Sequence, residues 1–201
     1  MTKLVDLAGA IDLLAAGEVV ALASDTVYGV GAALAHPDAV ARLFTLKARP
    51  TSVALPVIVD DAASVDRLAV TWSPRVARLA ERYWPGPLTI VVGADSTLAT
   101  LVGGHDAVGL RVPDDEALRA IARVVGPIAF TSANRHGEPP CTTAAAVQRA
   151  FADDVRLAGV YDGGERRGVV SSVVEVTGGS WRLVRAGAIS VDELTAVLGA
   201  P

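Results

Sequence analysis

The run GPIAFTSANRHGEPP occupies residues 126–140 and changes character in its middle. Gly126 and Pro127 introduce a short apolar stretch, Ile128 to Phe130, of the kind that forms a buried strand. Thr131, Ser132 and Asn134 follow at once, and then Arg135, His136, Gly137 and two prolines. Polar side chains in succession under an apolar layer would each need a buried hydrogen-bond partner, so the second half of the run is not core. It reads as a turn or a binding loop at a strand end. A buried strand that delivers a polar loop is the plan of an open α/β sheet, whose ligands collect beyond the strand ends.

The same plan repeats along the chain. Continuous or alternating apolar runs predict strands at residues 19–24, 55–59, 88–92, 107–112, 127–130, 171–176 and 181–185. Helical spacing of apolar residues predicts helices at 8–16, 37–47, 61–69, 74–84, 114–125, 142–151 and 191–198. Asp61, Asp114 and Thr142 or Thr143 are placed to cap helix starts, and Gly17, Gly126 and Gly199 to stop helices. The fold expected is α/β, an open twisted mixed sheet with flanking helices, as a single domain over residues 1–201. YDGGERRGVV, residues 161–170, has the paired glycines and charges of a mobile loop.

Composition narrows the function. The chain is 51% hydrophobic with few aromatics, and no apolar run approaches the roughly 18 residues that span a bilayer. The N-terminus lacks a basic region followed by a long apolar stretch, which predicts a cytoplasmic protein without a leader or membrane contact. A net charge of −4 argues against a broadly basic nucleic-acid surface, so any direct RNA contact is expected to be weak or local. The one cysteine, Cys141, excludes an internal disulfide and a cysteine metal cluster and reads as a small residue after two prolines. Of 18 cations only Lys3 and Lys47 are lysines, a hint that a compact point charge is wanted at the interior one.

Several catalytic classes are absent as motifs: there is no Walker A loop, HExxH, GxSxG or CxxC pair. His36, His105 and His136 lack metal-ligand spacing, and no protein-held metal is predicted. GVGAAL, residues 29–34, imitates half of a dinucleotide fingerprint but lacks its third glycine. What remains is a set of polar stretches at predicted strand or helix ends. SDTVYGVG (24–31) gathers Ser24, Asp25, Thr26 and Tyr28. LKARP (46–50) ends a helix with Lys47 and Arg49, where cations also favour the helix dipole. YWPGPLT (83–89) is a rigid turn in which Trp84 packs. GLRVP (109–113) sets Arg111 into an apolar strand, where it needs an anion, supplied by a ligand or by an internal acid. SSVVEV and LVRAG add Ser171, Ser172 and Arg185.

Taken in order, S-D-T-V-Y-G-V-G, K-A-R-P, W-P-G-P-L-T, L-R-V-P, T-S-A-N, S-S-V-V and R-A-G resemble the YrdC-like family of threonylcarbamoyl-AMP synthases, in its short single-domain form, from Ser24 to Gly187. The resemblance implies a central cationic cleft and a reaction that joins L-threonine, bicarbonate or CO2, and ATP into threonylcarbamoyl-AMP and pyrophosphate. A separate tRNA threonylcarbamoyl-transferase complex then modifies adenosine 37 of tRNA. It further implies that Lys47 and Arg49 are catalytic and hold the ATP phosphates, that Ser132, Asn134 and Arg185 contact the nucleotide, and that Ser24, Thr26, Arg111 and Ser171 seat threonine. Mg2+ is expected with ATP, held by phosphates and water. With Lys47 and Arg49 read as solvent-facing, alanine at either is expected to remove activity with little loss of fold.

The chain departs from the family pattern at Ser24-Asp25-Thr26, at Ala54 and Ala186 where proline is usual, and at Ile58 where a histidine is common. Two other readings stand beside the synthase: a paralogue that binds nucleotide or RNA without threonine-dependent activity, and a related carbamoyl-transfer domain.

Overall fold

The structure, a computed structural model, describes residues 2–48, 50, 53–135, 137–152, 154–177 and 179–200. In chain order its elements are β1 (Leu4–Val5), α1 (Leu7–Ala15), β2 (Val19–Ala23), β3 (Tyr28–Ala33), α2 (Pro37–Lys47), β4 (Val57–Ile58) and a 3-10 turn (Ala63–Arg67). There follow α3 (Pro74–Tyr83), β5 (Leu88–Gly93), α4 (Ser96–Leu101), β6 (Ala107–Arg111), α5 (Glu116–Val125) and β7 (Ile128–Ser132). The last are α6 (Ala144–Ala150), β8 (Leu157–Tyr161), β9 (Ser172–Thr177), β10 (Ser180–Arg185) and α7 (Val191–Leu198).

Among the described residues the strands form one sheet in the order β1-β8-β2-β3-β7-β4-β6-β5-β9-β10. Pairings β1–β8, β2–β8, β4–β6 and β5–β9 are parallel, whereas β2–β3, β3–β7, β4–β7, β5–β6 and β9–β10 are antiparallel, so the sheet is mixed as expected. Apolar side chains bury on both faces. Helices α1 and α5 pack Ala10, Leu14, Leu118 and Ile121 against Val20, Leu22, Ile58, Ile128 and Phe130 on one face. The larger cluster on the other face receives α2, α3, α4, α6 and α7.

Helix starts follow the capping rule, with Asp6, Ser73, Asp95, Asp115, Thr143 and Ser190 each accepting a backbone N–H of the first turn. The cap of α5 is therefore Asp115 and not Asp114. Residues 61–69, read as a helix, contain only the 3-10 turn, whose first N–H bond goes from Ser64 N to Asp61 Oδ1 at 2.9 Å.

Four regular elements went unpredicted: β1, β3, β8 and α4. The glycines of β3 explain its disguise. A Cβ on Gly29 would lie 2.2 Å from the Phe130 ring, and one on Gly31 would lie 2.9 Å from Ile128 and 3.1 Å from Phe130. These glycines make room in mid-strand for a large residue of β7, which accounts for GVG without a dinucleotide.

Candidate functional site

On the face of the sheet shared with α5 lies a cavity of about 200 Å3 whose polar wall includes Ser24, Thr26, Thr89, Arg111, Ser132, Ser171 and Arg185. Two larger hollows, of about 570 and 630 Å3, lie against Arg75 and Arg78 and against Thr2 and Lys3, and they gather none of the residues singled out as candidate site residues. The side chains that line the smaller cavity come from strand ends. Ile58 and Arg111 are register partners on parallel β4 and β6, which sets them on the same face.

The turn between β2 and β3 is built around Ser24. Its Oγ donates to Val27 O at 2.7 Å and accepts the N–H groups of Thr26 and Val27 at 3.3 Å each. The Ser24 hydroxyl thus shapes the turn, a role short hydroxyl side chains fill well. It carries the Thr26 hydroxyl 3.0 Å from its own. Arg111, 5% exposed, reaches this turn from β6. Its Nη2 bonds Asp25 Oδ1 at 2.6 Å, its Nη1 bonds Thr26 Oγ1 at 3.2 Å, and its Nε bonds Gly86 O at 2.9 Å. The anion that the strand-borne arginine needed is therefore supplied internally by Asp25. Burial lowers the guanidinium pKa, and the Asp25 charge and hydrogen bond oppose that shift.

Across the cavity, Ser171 accepts two bonds from Arg185 at its carbonyl, 3.2 and 2.9 Å, and one at its hydroxyl, 2.9 Å. Its Oγ also lies 3.1 Å from buried Thr89 Oγ1. A Cβ on Gly187 would lie 2.4 Å from the backbone of Ser171 and Ser172, so the R-A-G segment presses directly on this serine. The Arg185 pKa is lowered by burial and by the charge of Arg111. Two guanidinium groups that sense each other, with Asp25 beside one of them, make this end of the cavity attractive to anions.

The third wall is the TSAN segment. Lys47, at the end of α2, is 3% exposed, which corrects the solvent-facing position expected of it. The helix stops in a left-handed turn at Ala48, with φ of 50°, and its last residues Leu46 and Lys47 both turn inward. Lys47 Nζ donates to Ser132 O at 2.5 Å, Ser132 Oγ at 3.3 Å and Asn134 Oδ1 at 3.1 Å. Asn134 also accepts from Ser132 Oγ at 2.6 Å and donates to Arg135 O and Glu138 O at 2.9 and 2.7 Å. All four hydrogen-bonding capacities of its amide are thus used within the protein. Lys47 and Asn134 stand behind Ser132, which alone of the three faces the cavity. Arg49 lies outside the described residues.

Residues 161–170 border the cavity at Val170 and are tied down along their length. The Tyr28 hydroxyl lies 3.0 Å from Asp162 Oδ1 and 2.9 Å from Gly164 O, and it accepts Gly163 N–H at 3.1 Å. Burial and Asp162 raise its pKa to about 12. Arg166 pairs with Asp115 at 2.9 Å, and Gly168 N reaches Thr26 O at 3.1 Å. Cys141 bridges the loop by its backbone, from its N to Ala133 O and from Tyr28 N to its O, while burial pushes its thiol pKa up.

Sequence reasoning missed Thr89 and the roles of Asp25 and Tyr28. Asp25 carried a signal, an acid in a polar turn, but its partner lies 86 residues away. Thr89 sat unremarked at the end of the WPGPLT run.

The Sua5/YciO/YrdC family profile, described as Telomere recombination, matches residues 12–187. The threonylcarbamoyl-AMP synthase of Pyrococcus abyssi (strain GE5 / Orsay) is 36% identical over 186 residues, 91% of this chain and 54% of that protein. That of Bacillus subtilis (strain 168) is 35% identical over 197 residues, 96% of this chain and 56% of that protein. The chain thus spans a little over half the length of these two relatives. A putative threonylcarbamoyl-AMP synthase of Mycobacterium tuberculosis (strain ATCC 25618 / H37Rv) is 32% identical over 94% of this chain and 88% of its own length. Among solved structures, P. abyssi Sua5 complexed with L-threonine superposes with a TM-score of 0.89 at 33% identity, covering 96% of this chain and 57% of that one. E. coli YciO, with a TM-score of 0.82 at 18% identity over 94% of this chain and 92% of that one, shares the fold.

Proposed function

Because the chain belongs to the Sua5/YciO/YrdC family, we propose that residues 1–201 act as one domain that makes threonylcarbamoyl-AMP and pyrophosphate from L-threonine, bicarbonate or CO2, and ATP. The observation that carries this reading is the convergence of Arg111 and Arg185 from two separate strands on one small cavity, with Lys47 bonded directly behind Ser132 of its wall. In this reading the amine of threonine adds to CO2 and loses a proton. A carbamate oxygen then attacks the α-phosphorus of ATP, and the bond to the bridging oxygen of pyrophosphate breaks. Two anions must meet for that step, and fixed cations lower its cost. The protein supplies no nucleophile, so positioning carries the catalysis.

Arg111 receives the threonine carboxylate with the N–H groups that Asp25, Thr26 and Gly86 leave over, since three of its five are engaged. Ser24, Thr26 and Ser171 bound the amino-acid compartment, while Lys47 and Arg49 neutralise the phosphates. Ser132 and Arg185 meet the nucleotide, and Asn134 acts on it by fixing Ser132 and Lys47. Magnesium enters as part of the ATP substrate. In this reading phosphates and water are its ligands, while Asp25 is paired with Arg111.

The product would pass to a tRNA threonylcarbamoyl-transferase complex for the adenosine 37 modification in the cytoplasm. Among the described residues no helix is long and apolar enough to cross a membrane. The test is pyrophosphate release from ATP and bicarbonate with L-threonine, with L-serine and without amino acid. Threonine-dependent release is expected, and release indifferent to the amino acid would overturn the reading.

A further inference from the structure

The cavity has a second wall that the chemistry above leaves unused. Opposite its hydroxyl groups and guanidinium groups lie Val27, Pro56, Ile58 and Phe130. At about 200 Å3 the space falls below the roughly 300 Å3 at which pockets begin to hold larger ligands, and it matches one small polar molecule with an apolar side.

Ile58 has a particular place in that wall. It is 2% exposed, yet it lines the cavity. As the register partner of Arg111 it stands about 4.8 Å away across the sheet with its side chain on the same face. In the synthase reading, a carboxylate seated on Arg111 leaves its amino acid in the same cavity that Ile58 lines, where the Cβ substituents meet the apolar wall. The Phe130 ring is seated over Gly29 and Gly31, which fixes its place beside Ile58 in this wall. Serine in this compartment would leave a void where threonine has a methyl group, and a small void in a rigid wall simply loses its contacts.

We propose that Ile58 is the residue that reads the γ-methyl group and so sets the preference of this protein for threonine over serine. The proposal rests on the synthase reading for its ligand class. One methyl group in an apolar pocket discriminates by about 10- to 200-fold, which is the ratio expected between the two amino acids.

The experiment titrates L-threonine, L-serine and L-2-aminobutyrate, which keeps the methyl and lacks the hydroxyl, into the wild type, Ile58→Val and Ile58→Ala, and measures kcat/KM for pyrophosphate release alongside. In Ile58→Ala the affinities for threonine and 2-aminobutyrate are expected to fall by about tenfold or more while that for serine holds, which brings the ratio toward one. Ile58→Val, which trims the side chain with least disturbance to the fold, gives a smaller change of the same sign. Equal losses for all three ligands would mean a structural role and overturn the proposal, as would an unchanged threonine-to-serine ratio in both variants. Selective threonine binding without pyrophosphate release would sink the synthase reading and leave the Ile58 assignment standing. Failure to bind any of the three would sink both.

Discussion

Arg111 and Arg185 face the same cavity from opposite circumstances. Arg111 is set in a central strand, 5% exposed, and is held by a buried carboxylate, a hydroxyl and a carbonyl. Arg185 ends the outermost strand, is more exposed although its guanidinium is partly buried, and is held by the carbonyl and hydroxyl of Ser171 with no acid in its bonds. The first is part of the fold's own electrostatic balance, so its removal or unpairing disturbs the protein before any ligand arrives. The second is a cation that the fold tolerates and a ligand uses. That difference predicts how stability and activity separate at each position.

The largest effect on stability is expected at Asp25. Asp25→Ala strands a buried guanidinium, and breaking a buried pair of this kind costs about 3–5 kcal/mol. Thermal or urea unfolding reads this directly. The double replacement Asp25→Ala with Arg111→Met removes both charges and should recover much of the loss. If Asp25→Ala costs under about 1 kcal/mol, water has taken the place of the carboxylate and the contrast between the two arginines collapses.

Lys47 comes next. Read from sequence as a surface cation, it would cost almost nothing to replace. Buried among Ser132 and Asn134, it should cost about 1–3 kcal/mol as Lys47→Met, because those oxygens lose a charged donor while staying buried. Turnover should vanish in the same variant. Lys47→Arg should also fail, since a planar fork cannot reproduce the geometry of a compact ammonium group. A melting temperature equal to that of the wild type would return Lys47 to the surface role.

These two residues mark how far sequence reading reached. Ser132, Asn134, Lys47, Arg111 and Arg185 were all legible as polar residues at the ends of apolar runs, because an amphipathic pattern breaks where a site begins. Their partners were not. Asp25 lies 86 residues from Arg111 and Lys47 lies 87 from Asn134, and strand order, which brings them together, leaves no local trace. The fold shows the same division. Helices over 37–47 and 191–198 matched to the residue, because apolar spacing is local, as are the proline that opens the first and the Ser190 cap that opens the second. Strand β3 was missed because its glycines, chosen to admit Phe130, look like a turn. Strand β8 runs from Leu157 into Tyr161, the first residue of the glycine-rich run, where the sequence pattern predicts no regular element.

Tyr28 offers a neutral counterpart to the charged walls. With a folded pKa of about 12 against an ordinary value of 10, the tyrosine contributes no pH dependence below pH 10, where both states are protonated. From pH 10 to about 12 the unfolded chain loses the proton first, so stability falls as pH rises. Tyr28→Phe should flatten that part of the stability profile. At neutral pH it should cost about 0.5–1.5 kcal/mol for the bonds to Asp162, Gly163 and Gly164. An alkaline slope unchanged in Tyr28→Phe would mean that another group carries it.

The smallest change in stability, and the sharpest form of the comparison, belongs to Arg185. Its bonds end on a serine that has a second partner in Thr89, so Arg185→Ala leaves the Ser171 hydroxyl satisfied. It also removes the charge that Arg111 opposes. Stability should therefore move by no more than about 0.5 kcal/mol, and relief of that repulsion works in the variant's favour. The nucleotide should feel the loss in full, since a hydrogen bond to a charged group contributes about 1.5–3 kcal/mol, or roughly tenfold and more in KM for ATP. KM for threonine should change little, because its carboxylate is assigned to Arg111. A rise in the threonine KM with the ATP KM unchanged would exchange the roles of the two arginines and place the amino acid at the outer edge of the sheet.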